Sequence, residues 1–257
     1  MSVIEKNGVK FIQFDLFNNF NFINHCFSTK IGGVSKNQYS SMNLSYYLGD
    51  SKSNVDKNYE LIKDAAHFQG AVVNSKQVHG NKVLYVNKDN CYEHEGYDGF
   101  VTDKKGITLS TFHADCIPIF LVDPVEKNIG LLHSGWRSTV LNIATEGIKE
   151  MINLNSNVEN IYAAIGPALN KECFEVDKDV YLAFTKEYFW SKKFIDFNGK
   201  KYYIDIKNIC REQLILSGIN KNNIEMSNHC TKCNDLYYSH RRSGTDRGSM
   251  VAFLELK

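Results

Sequence analysis

Residues 129–139 read IGLLHSGWRST, and this stretch decides how the rest of the chain is interpreted. A strand-like apolar run ends at His133, a small polar turn follows at Ser134 and Gly135, and a helix is predicted to begin beside Arg137. A strand that leads directly into a helix is typical of a mixed α/β protein. A histidine at such a strand end can be a metal ligand, a catalytic base or a packed core residue, because loops at strand ends often carry functional groups.

The size and composition of the chain are those of an ordinary globular protein. Its 257 residues are 43% hydrophobic and 23% charged, which is sufficient to bury a large core. The formal net charge is +1. This near-neutral charge gives no electrostatic argument for binding nucleic acid or an acidic membrane surface.

The sequence also bears on the cellular compartment. No apolar stretch approaches the roughly 18–20 residues that cross a bilayer, and the first residues, MSVIEKNGVKFIQF, lack the pattern of a signal peptide. The seven cysteines are odd in number and scattered, as expected of free or metal-bound thiols in a reducing compartment. We therefore expect a cytoplasmic protein without a membrane segment.

Strand-like and helical patterns are mixed along the whole chain. Residues 53–67 and 138–152 repeat apolar side chains at the helical period, and residues 177–189 and 205–217 are also predicted to be helical. Because strands and helices do not alternate regularly, we expect an α/β or α+β fold with mixed sheets, in a single domain over residues 1–257. The predicted strands are rich in β-branched and aromatic residues and cover 9–14, 21–29, 82–86, 107–112, 117–122, 129–133, 160–166 and 200–206.

Three segments place a reactive side chain at a strand end, and together they supply His79, Cys116 and His133. Two imidazoles and one thiolate suit Zn²⁺, which would keep a fourth position for water or substrate. The same side chains can instead form a cysteine nucleophile with a histidine base, and any one of them alone is more often a packed residue. The three segments are QVHG (77–80), FHADCIP (112–118) and LHSGWR (132–137).

The residues around Cys116 add a further expectation. If residues 110–116 are extended, side chains alternate between two faces, and Cys116 shares its face with Ala114. His113 and Asp115 then point the other way. We therefore leave His113 out of the metal set and keep Asp115 as a catalytic acid/base candidate on its proximity in sequence.

Arg137 is a candidate for anion binding. It lies at a predicted helix start, where free N–H groups favour anions. Its planar guanidinium suits phosphate or carboxylate, although an ordinary surface arginine fits the sequence equally well.

The C-terminal stretch 228–248 contains the motif Cys230-x-x-Cys233. This motif can be part of a zinc site, a redox pair, or two unlinked thiols near a turn. A structural zinc site usually combines two such motifs, so the unlinked thiols are the favoured interpretation. Three basic residues of this stretch can line an anion site: Arg241, Arg242 and Arg247.

Taken in order, these segments resemble a known family. The chain is similar to the YfiH-like proteins, also called the laccase-domain or polyphenol oxidase family, which are regarded as purine nucleoside phosphorylases. The resemblance covers almost the full length. The matching segments are CFSTKIGGVSKNQYSSMNLS, KNYELI, QVHG, DGFVTD (98–103), ADCIPIFLVDP, LHSGWR, AAIGPALNKECFEV, HCT and SHRRSGTDRGSMVAFLEL.

The resemblance implies a fold, a metal and an activity. The fold would be a single-domain layered α/β/β/α sandwich with mixed sheets. One zinc ion per chain would be bound by His79, Cys116 and His133. The implied activity is phosphorolysis of adenosine, inosine, guanosine and methylthioadenosine, with adenosine deamination beside it. Purine nucleosides and phosphate would then be the partners.

The substrate-binding candidates include one departure from the family. Lys30 stands where the family usually has arginine, so that contact would be a point charge instead of a bidentate fork. Lys30 and Arg137 are the candidates for phosphate, and Asn43 is the candidate for ribose or base. Two small replacements, Ser134 and Ser138, remove no proposed ligand.

Three other functions compete with the phosphorylase. One is a cysteine-dependent hydrolase with Cys116 as nucleophile and His79 or His133 as base. Another is a copper-dependent polyphenol oxidase, but such enzymes need many histidine ligands and several coppers, and this chain has eight histidines in all. A non-enzymatic binding protein has no supporting feature in the sequence.

Overall fold

The structure, a computed structural model, describes residues 1–257. It contains six α-helices: α1 (Lys52–Ala66), α2 (Trp136–Val140), α3 (Ile143–Asn153), α4 (Lys178–Glu187), α5 (Ile206–Leu216) and α6 (His240–Ser243). The strands are β1 (Ser2–Lys6), β2 (Val9–Gln13), β3 (Ile23–Ser28), β4 (Ala71–Val73), β5 (Ser75–Lys76), β6 (Val83–Tyr85), β7 (His94–Glu95), β8 (Gly99–Thr102), β9 (Ile107–His113), β10 (Ile117–Asp123), β11 (Asn128–Ser134), β12 (Tyr162–Ile165), β13 (Glu175–Val176), β14 (Ile195–Phe197), β15 (Tyr202–Ile204), β16 (Ile224–Met226) and β17 (Met250–Leu256). None of the helices has the length and apolar character needed to cross a membrane.

Two six-stranded sheets form the centre of the molecule. The strand order is β1-β2-β3-β17-β9-β4 in the first sheet and β16-β12-β10-β11-β8-β6 in the second. Both sheets are mixed, because β4, β6 and β16 pair in parallel with their neighbours while the other pairs are antiparallel. The expected mixed sheets are therefore confirmed.

Three apolar clusters show how the layers stack. One cluster lies between the two sheets, a second joins the outer face of the first sheet to α1, and a third joins the outer face of the second sheet to α3 and α5. The order of layers is thus helix, sheet, sheet, helix, as the α/β/β/α expectation states.

The sequence of β10 explains why this strand is central. Ile117, Ile119 and Leu121 belong to the cluster beneath the helices, whereas Phe120 and Val122 belong to the cluster between the sheets. Successive side chains of a strand point to opposite faces. A strand buried on both faces therefore reads as a continuous apolar run, which is how IPIFLV appears in the sequence.

The helix predicted over 53–67 is present as α1. The Ser51 hydroxyl accepts a hydrogen bond from the Asn54 backbone N–H and caps its first turn. The helix predicted over 138–152 is instead divided into α2 and α3. Asn142 between them has a φ of 57°, a left-handed conformation that no α-helix can continue through.

Candidate metal centre

The turn between β9 and β10 sets the geometry of the site, and it corrects one expectation. The strand ends at His113, and Asp115 has a φ of 88°. The extended alternation predicted over 110–116 is therefore wrong, since a left-handed residue reverses the local direction of the chain. As a result, Asp115 and Cys116 line the same cavity instead of facing opposite ways.

The structure brings the three proposed metal ligands together. His79 lies in the loop after β5, Cys116 in the turn before β10, and His133 in β11 opposite Pro118. The potential ligand atoms of the three side chains all lie within 4.8 Å of one another. The Cys116 Sγ is 3.8 Å from His79 Nε2, and the two imidazole centroids are 4.9 Å apart.

Asp98 is the residue that organises this cluster. Its carboxylate is fully buried and lies 2.8 Å from Nδ1 of His133. It also accepts hydrogen bonds from the backbone N–H groups of Val78, His79 and Gly80, at 3.1, 2.9 and 2.8 Å. These bonds hold His79 in a left-handed conformation with a φ of 58°, which costs free energy for a residue with a Cβ.

Sequence reasoning did not assign a role to Asp98. It begins the DGFVTD segment, which contributed to the resemblance, but a lone carboxylate before a strand has no ligand spacing. Its position is typical of an outer partner that orients a metal-binding histidine and fixes its tautomer. With Nδ1 of His133 engaged by Asp98, the Nε2 atom is left for a ligand bond.

The charged groups of the cluster shift the pKa values of His133 and Cys116 in opposite directions. Burial opposes the charged form of His133, but the Cys116 thiolate and the Asp98 carboxylate outweigh it and raise the pKa of His133 to about 9. Burial likewise opposes ionisation of Cys116, but His133 and His79 lower the pKa of this thiol to about 6. The side chains thus favour a thiolate, which is the form that binds metals. Two imidazoles and a thiolate backed by a carboxylate fit a metal ion.

Two cavities meet at the cluster. One has a volume of about 390 Å³ and is lined by His79 and Cys116 together with Trp136, Phe174 and Arg247, among other residues. The other has a volume of about 270 Å³ and lies against His133 as well as the same His79 and Cys116. A metal at the cluster would therefore face a space of the size that small ligands occupy.

Two further predicted site residues line the larger cavity. The Asp115 carboxylate accepts hydrogen bonds from the Thr231 hydroxyl and from the Arg241 backbone N–H, both at 2.6 Å. Arg137 is exposed, and its guanidinium carbon lies 4.3 Å from the centroid of the Trp136 ring. Arg137 belongs to α2, which is only five residues long, so any anion there would depend on the side chain more than on the helix.

Lys30 and Asn43 lie elsewhere. Lys30 lines a separate cleft of about 450 Å³. Asn43 is fully buried, and its amide donates to the Ser45 carbonyl and to Asp50 while its oxygen accepts from the Ser249 N–H. With its amide engaged in this way, Asn43 braces the fold and does not reach either cavity at the cluster.

His113 and the C-terminal thiols complete the set of predicted residues. His113 is buried, with Nδ1 3.1 Å from the Cys116 carbonyl and Nε2 2.8 Å from the Thr111 hydroxyl. Both of its nitrogens are therefore engaged away from a metal. Cys230 and Cys233 are free thiols, and Cys173, which the sequence did not connect with them, lies close to both in a second compact group.

The fold and the site define a layered α/β protein with a His–Cys–His cluster at the ends of two central strands, β10 and β11, of a mixed sheet. Residues 24–257 match the family model described as multi-copper polyphenol oxidoreductase laccase, and the chain belongs to this family. It is 33% identical to "Purine nucleoside phosphorylase YlmD" of Bacillus subtilis (strain 168), over 90% of this chain and 87% of that protein.

Two further comparisons agree with this assignment. The chain is 33% identical to "Adenosine deaminase RL5" of an unknown prokaryotic organism, over 86% of this chain and 90% of that protein. The crystal structure of the Bacillus licheniformis hypothetical protein YfiH superimposes with a TM-score of 0.89 at 28% identity, over 98% of both chains. The resemblance stated from the sequence is therefore confirmed.

Proposed function

We propose that this protein is a zinc-dependent purine nucleoside phosphorylase with adenosine deaminase activity. The observation that carries the proposal is the cluster of His79, Cys116 and His133, which is backed by the buried carboxylate of Asp98 and opens into a cavity of about 390 Å³. The names of the related proteins support the same reaction class. The substrates would be adenosine, inosine, guanosine and methylthioadenosine, together with phosphate.

Zinc is the proposed metal because two imidazole nitrogens and one thiolate are donors that it commonly takes. When bound, zinc would supply a Lewis acid at the mouth of the cavity. Copper is the second candidate, since the same donors suit it. A multicopper centre needs additional histidine ligands, and both nitrogens of the neighbouring His113 are engaged.

The protein's own residues would bind the two substrates at different parts of the cavity. Trp136 and Phe174 contribute aromatic side chains to its lining, which suit contact with a purine base. Arg247 reaches both this cavity and the cleft that contains Lys30. Its Nε is buried without a hydrogen-bond partner. A buried unpaired donor costs free energy, so an anion such as phosphate would satisfy it, with Arg137 as a second contact.

Asp115 is the proposed acid/base group. Thr231 and Arg241 each hold one of its carboxylate oxygens at 2.6 Å, beside Cys116 at the wall of the cavity. A carboxyl group fixed in this way can deliver a proton to a leaving purine or to departing ammonia, provided that it lies within hydrogen-bond reach. This role is compatible with both phosphorolysis and deamination.

A cysteine-dependent hydrolase is the second candidate function. One observation favours it: the lowering of the Cys116 pKa to about 6 by His133 and His79 against the effect of burial. A thiolate at neutral pH is a competent nucleophile. This function requires no metal, so the two candidates predict opposite responses to chelation.

The deciding experiment compares reactions with and without phosphate. Protein of measured metal content is incubated with adenosine, inosine, guanosine or methylthioadenosine, and the products are identified by mass spectrometry. Ribose 1-phosphate (or its methylthio analogue) formed only in the presence of phosphate is the expected result. Absence of turnover of every nucleoside overturns the proposal. Full activity after exhaustive chelation, with a covalent adduct on Cys116, supports the hydrolase instead.

The location proposed for this activity is the cytoplasm. All seven cysteines are free thiols, and such thiols persist in a reducing compartment. A reducing compartment would also preserve the Cys116 thiolate that the metal requires.

A further inference from the structure

Three cysteines converge at a place separate from the His–Cys–His cluster. Cys173 ends a 3-10 turn at Lys171–Cys173, and Cys230 pairs through its backbone with Ala168. The sulfur atoms of Cys173, Cys230 and Cys233 all lie within 4.8 Å of one another. The Cys173 and Cys233 sulfurs are 3.2 Å apart. Convergence of three sulfurs, instead of two, is what distinguishes this group from a simple disulfide pair.

The surroundings of Cys230 are built to receive negative charge. Its sulfur accepts a hydrogen bond from the Asn170 backbone N–H at 3.5 Å. Backbone N–H groups directed at sulfur stabilise a thiolate.

A buried ammonium group lies beside these thiols. Lys207 is only 4% exposed, and its Nζ donates to the Asn170 side chain at 2.6 Å and to the Ser227 carbonyl at 2.9 Å. Lys207 is thereby linked through Asn170 to Cys230, because the Asn170 backbone N–H donates to the Cys230 sulfur. Three thiolates around a divalent cation leave one net negative charge, and Lys207 is placed to balance it.

We propose that Cys173, Cys230 and Cys233 form a second metal site, which binds one thiophilic ion of the zinc class. Three sulfur donors leave a fourth position open, and Cys233 is exposed, so water or another small ligand can complete a tetrahedral set. This site is independent of the proposed zinc at His79, Cys116 and His133, because the two groups share no ligand.

A metal ion at the second site would stabilise two segments that adjoin the cavity. Cys173 immediately precedes Phe174, which lines the cavity. Cys230 immediately precedes Thr231, whose hydroxyl holds Asp115. An ion bound to both cysteines would tie these two segments together, as structural zinc sites do.

The test counts metal ions and thiolates directly. Wild-type protein and single variants are loaded with Zn²⁺ or Cd²⁺ alone, and bound metal is measured by mass spectrometry after removal of excess ion. Ultraviolet absorption of Cd²⁺–thiolate bonds reports the number of coordinating sulfurs. We expect two ions per wild-type chain, and one ion in either Cys116→Ser or Cys173→Ser.

The sulfur count separates the two sites. Cys116→Ser should retain the absorption of three thiolates, and Cys173→Ser should lose more absorption than Cys116→Ser. Cys91→Ser, which changes a thiol outside both groups, is the matched control and should still bind two ions. Because none of these readouts uses nucleoside turnover, failure of the phosphorylase proposal would leave the result intact.

Two outcomes overturn the inference. One is a single ion in wild type that is lost in Cys116→Ser and retained in full in Cys173→Ser. The other is a Cys173–Cys233 disulfide found by peptide mapping in protein kept under reductant, which would leave only the Cys230 thiol for a metal.

Discussion

Two buried histidines in this molecule have nearly equal solvent exposure, but their pKa values are shifted in opposite directions. His25 lies in β3 of the first sheet and His133 in β11 of the second, with 5% and 3% of their surfaces exposed. The Nε2 of His25 accepts a hydrogen bond from the Phe14 N–H, and burial lowers the pKa of His25 to about 4. The pKa of His133 is raised to about 9 although it is also buried.

The difference comes from the groups that face each ring. His25 packs against the aromatic rings of Phe14, Phe17 and Phe120, which leave desolvation as the dominant effect. His133 faces a carboxylate and a thiolate, whose charges outweigh desolvation. Burial alone therefore does not separate a packed histidine from a candidate metal ligand, whereas the polar groups that face the ring do.

The largest effect is expected on removing His133. His133→Ala should abolish metal binding at the His–Cys–His cluster and reduce phosphorolysis by more than about 100-fold. Loss of a residue that only hydrogen-bonds to a metal ligand costs at most about that much. His25→Gln, which keeps a hydrogen-bond acceptor, is the control and should retain both properties. Metal analysis and nucleoside turnover measure the result. Full metal content in His133→Ala would show that His133 is not a metal ligand and is no more important for metal binding than His25.

The next largest effect is expected on the stability of the protein in acid, and His25 causes it. Its folded-state pKa of about 4 lies below the ordinary value of 6.5, so the unfolded chain takes up the proton first. The stability that His25 contributes is therefore complete above pH 6.5 and is lost as the pH falls toward 4. The loss amounts to about 3 kcal/mol at about 1.4 kcal/mol per pKa unit.

Urea unfolding of wild type and His25→Gln at pH 7 and pH 4 measures this loss. The variant lacks the titrating group, so its stability should fall less over this interval, by about the same 3 kcal/mol. Equal falls in the two proteins would show that His25 is not held neutral by the aromatic cluster.

A smaller effect, on metal affinity, is expected on replacing Asp98. Asp98→Asn keeps the volume but replaces one acceptor oxygen with a donor, so the bonds to His133 and to the 78–80 loop cannot all be retained. Metal affinity should fall by about 10- to 100-fold, as measured by competition with a chelating dye. Asp123→Asn, which changes a buried carboxylate remote from the cluster, is the control. Unchanged affinity in Asp98→Asn would mean that His133 needs no outer partner.

The smallest effect is expected at Gly135. A Cβ added there would lie 2.7 Å from His79 Cδ2 and 3.1 Å from the Cys116 sulfur, so these two proposed ligands would have to shift. A cost of about 1 kcal/mol, or about fivefold in metal affinity, is expected for Gly135→Ala. Gly80→Ala is the control, because its Cβ would have no neighbour closer than 3.6 Å. Equal affinities in the two variants would contradict the steric argument.

The sequence was most informative where residue type and local pattern agree. The α1 helix followed from apolar spacing, and the family resemblance was confirmed. His79, Cys116 and His133 were chosen from their chemistry, and the structure places them together, although their role as zinc ligands stays a prediction. No local sequence pattern identifies Asp98 as a partner of His133, because its position opposite His133 depends on how β8 pairs with β11.

Other features that the sequence did not predict have physical causes of the same kind. The left-handed backbone at Asp115 broke an alternation that periodicity alone supports. Cys173 lies 60 residues before Cys233, so its contact with the CxxC motif depends on tertiary packing and leaves no trace in spacing. Asn43 was matched to a family segment, but its amide is engaged within the fold.

The position of β17 has a consequence for how the molecule is made. Met250–Leu256 lies between β3 and β9, and pairs with both. Until residues 250–256 have been inserted, those two earlier strands have no partner on their facing edges, and unpaired edges invite association with other chains. The first sheet can therefore close only once residues 250–256 have been inserted between two much earlier strands, so its assembly depends on long-range pairing.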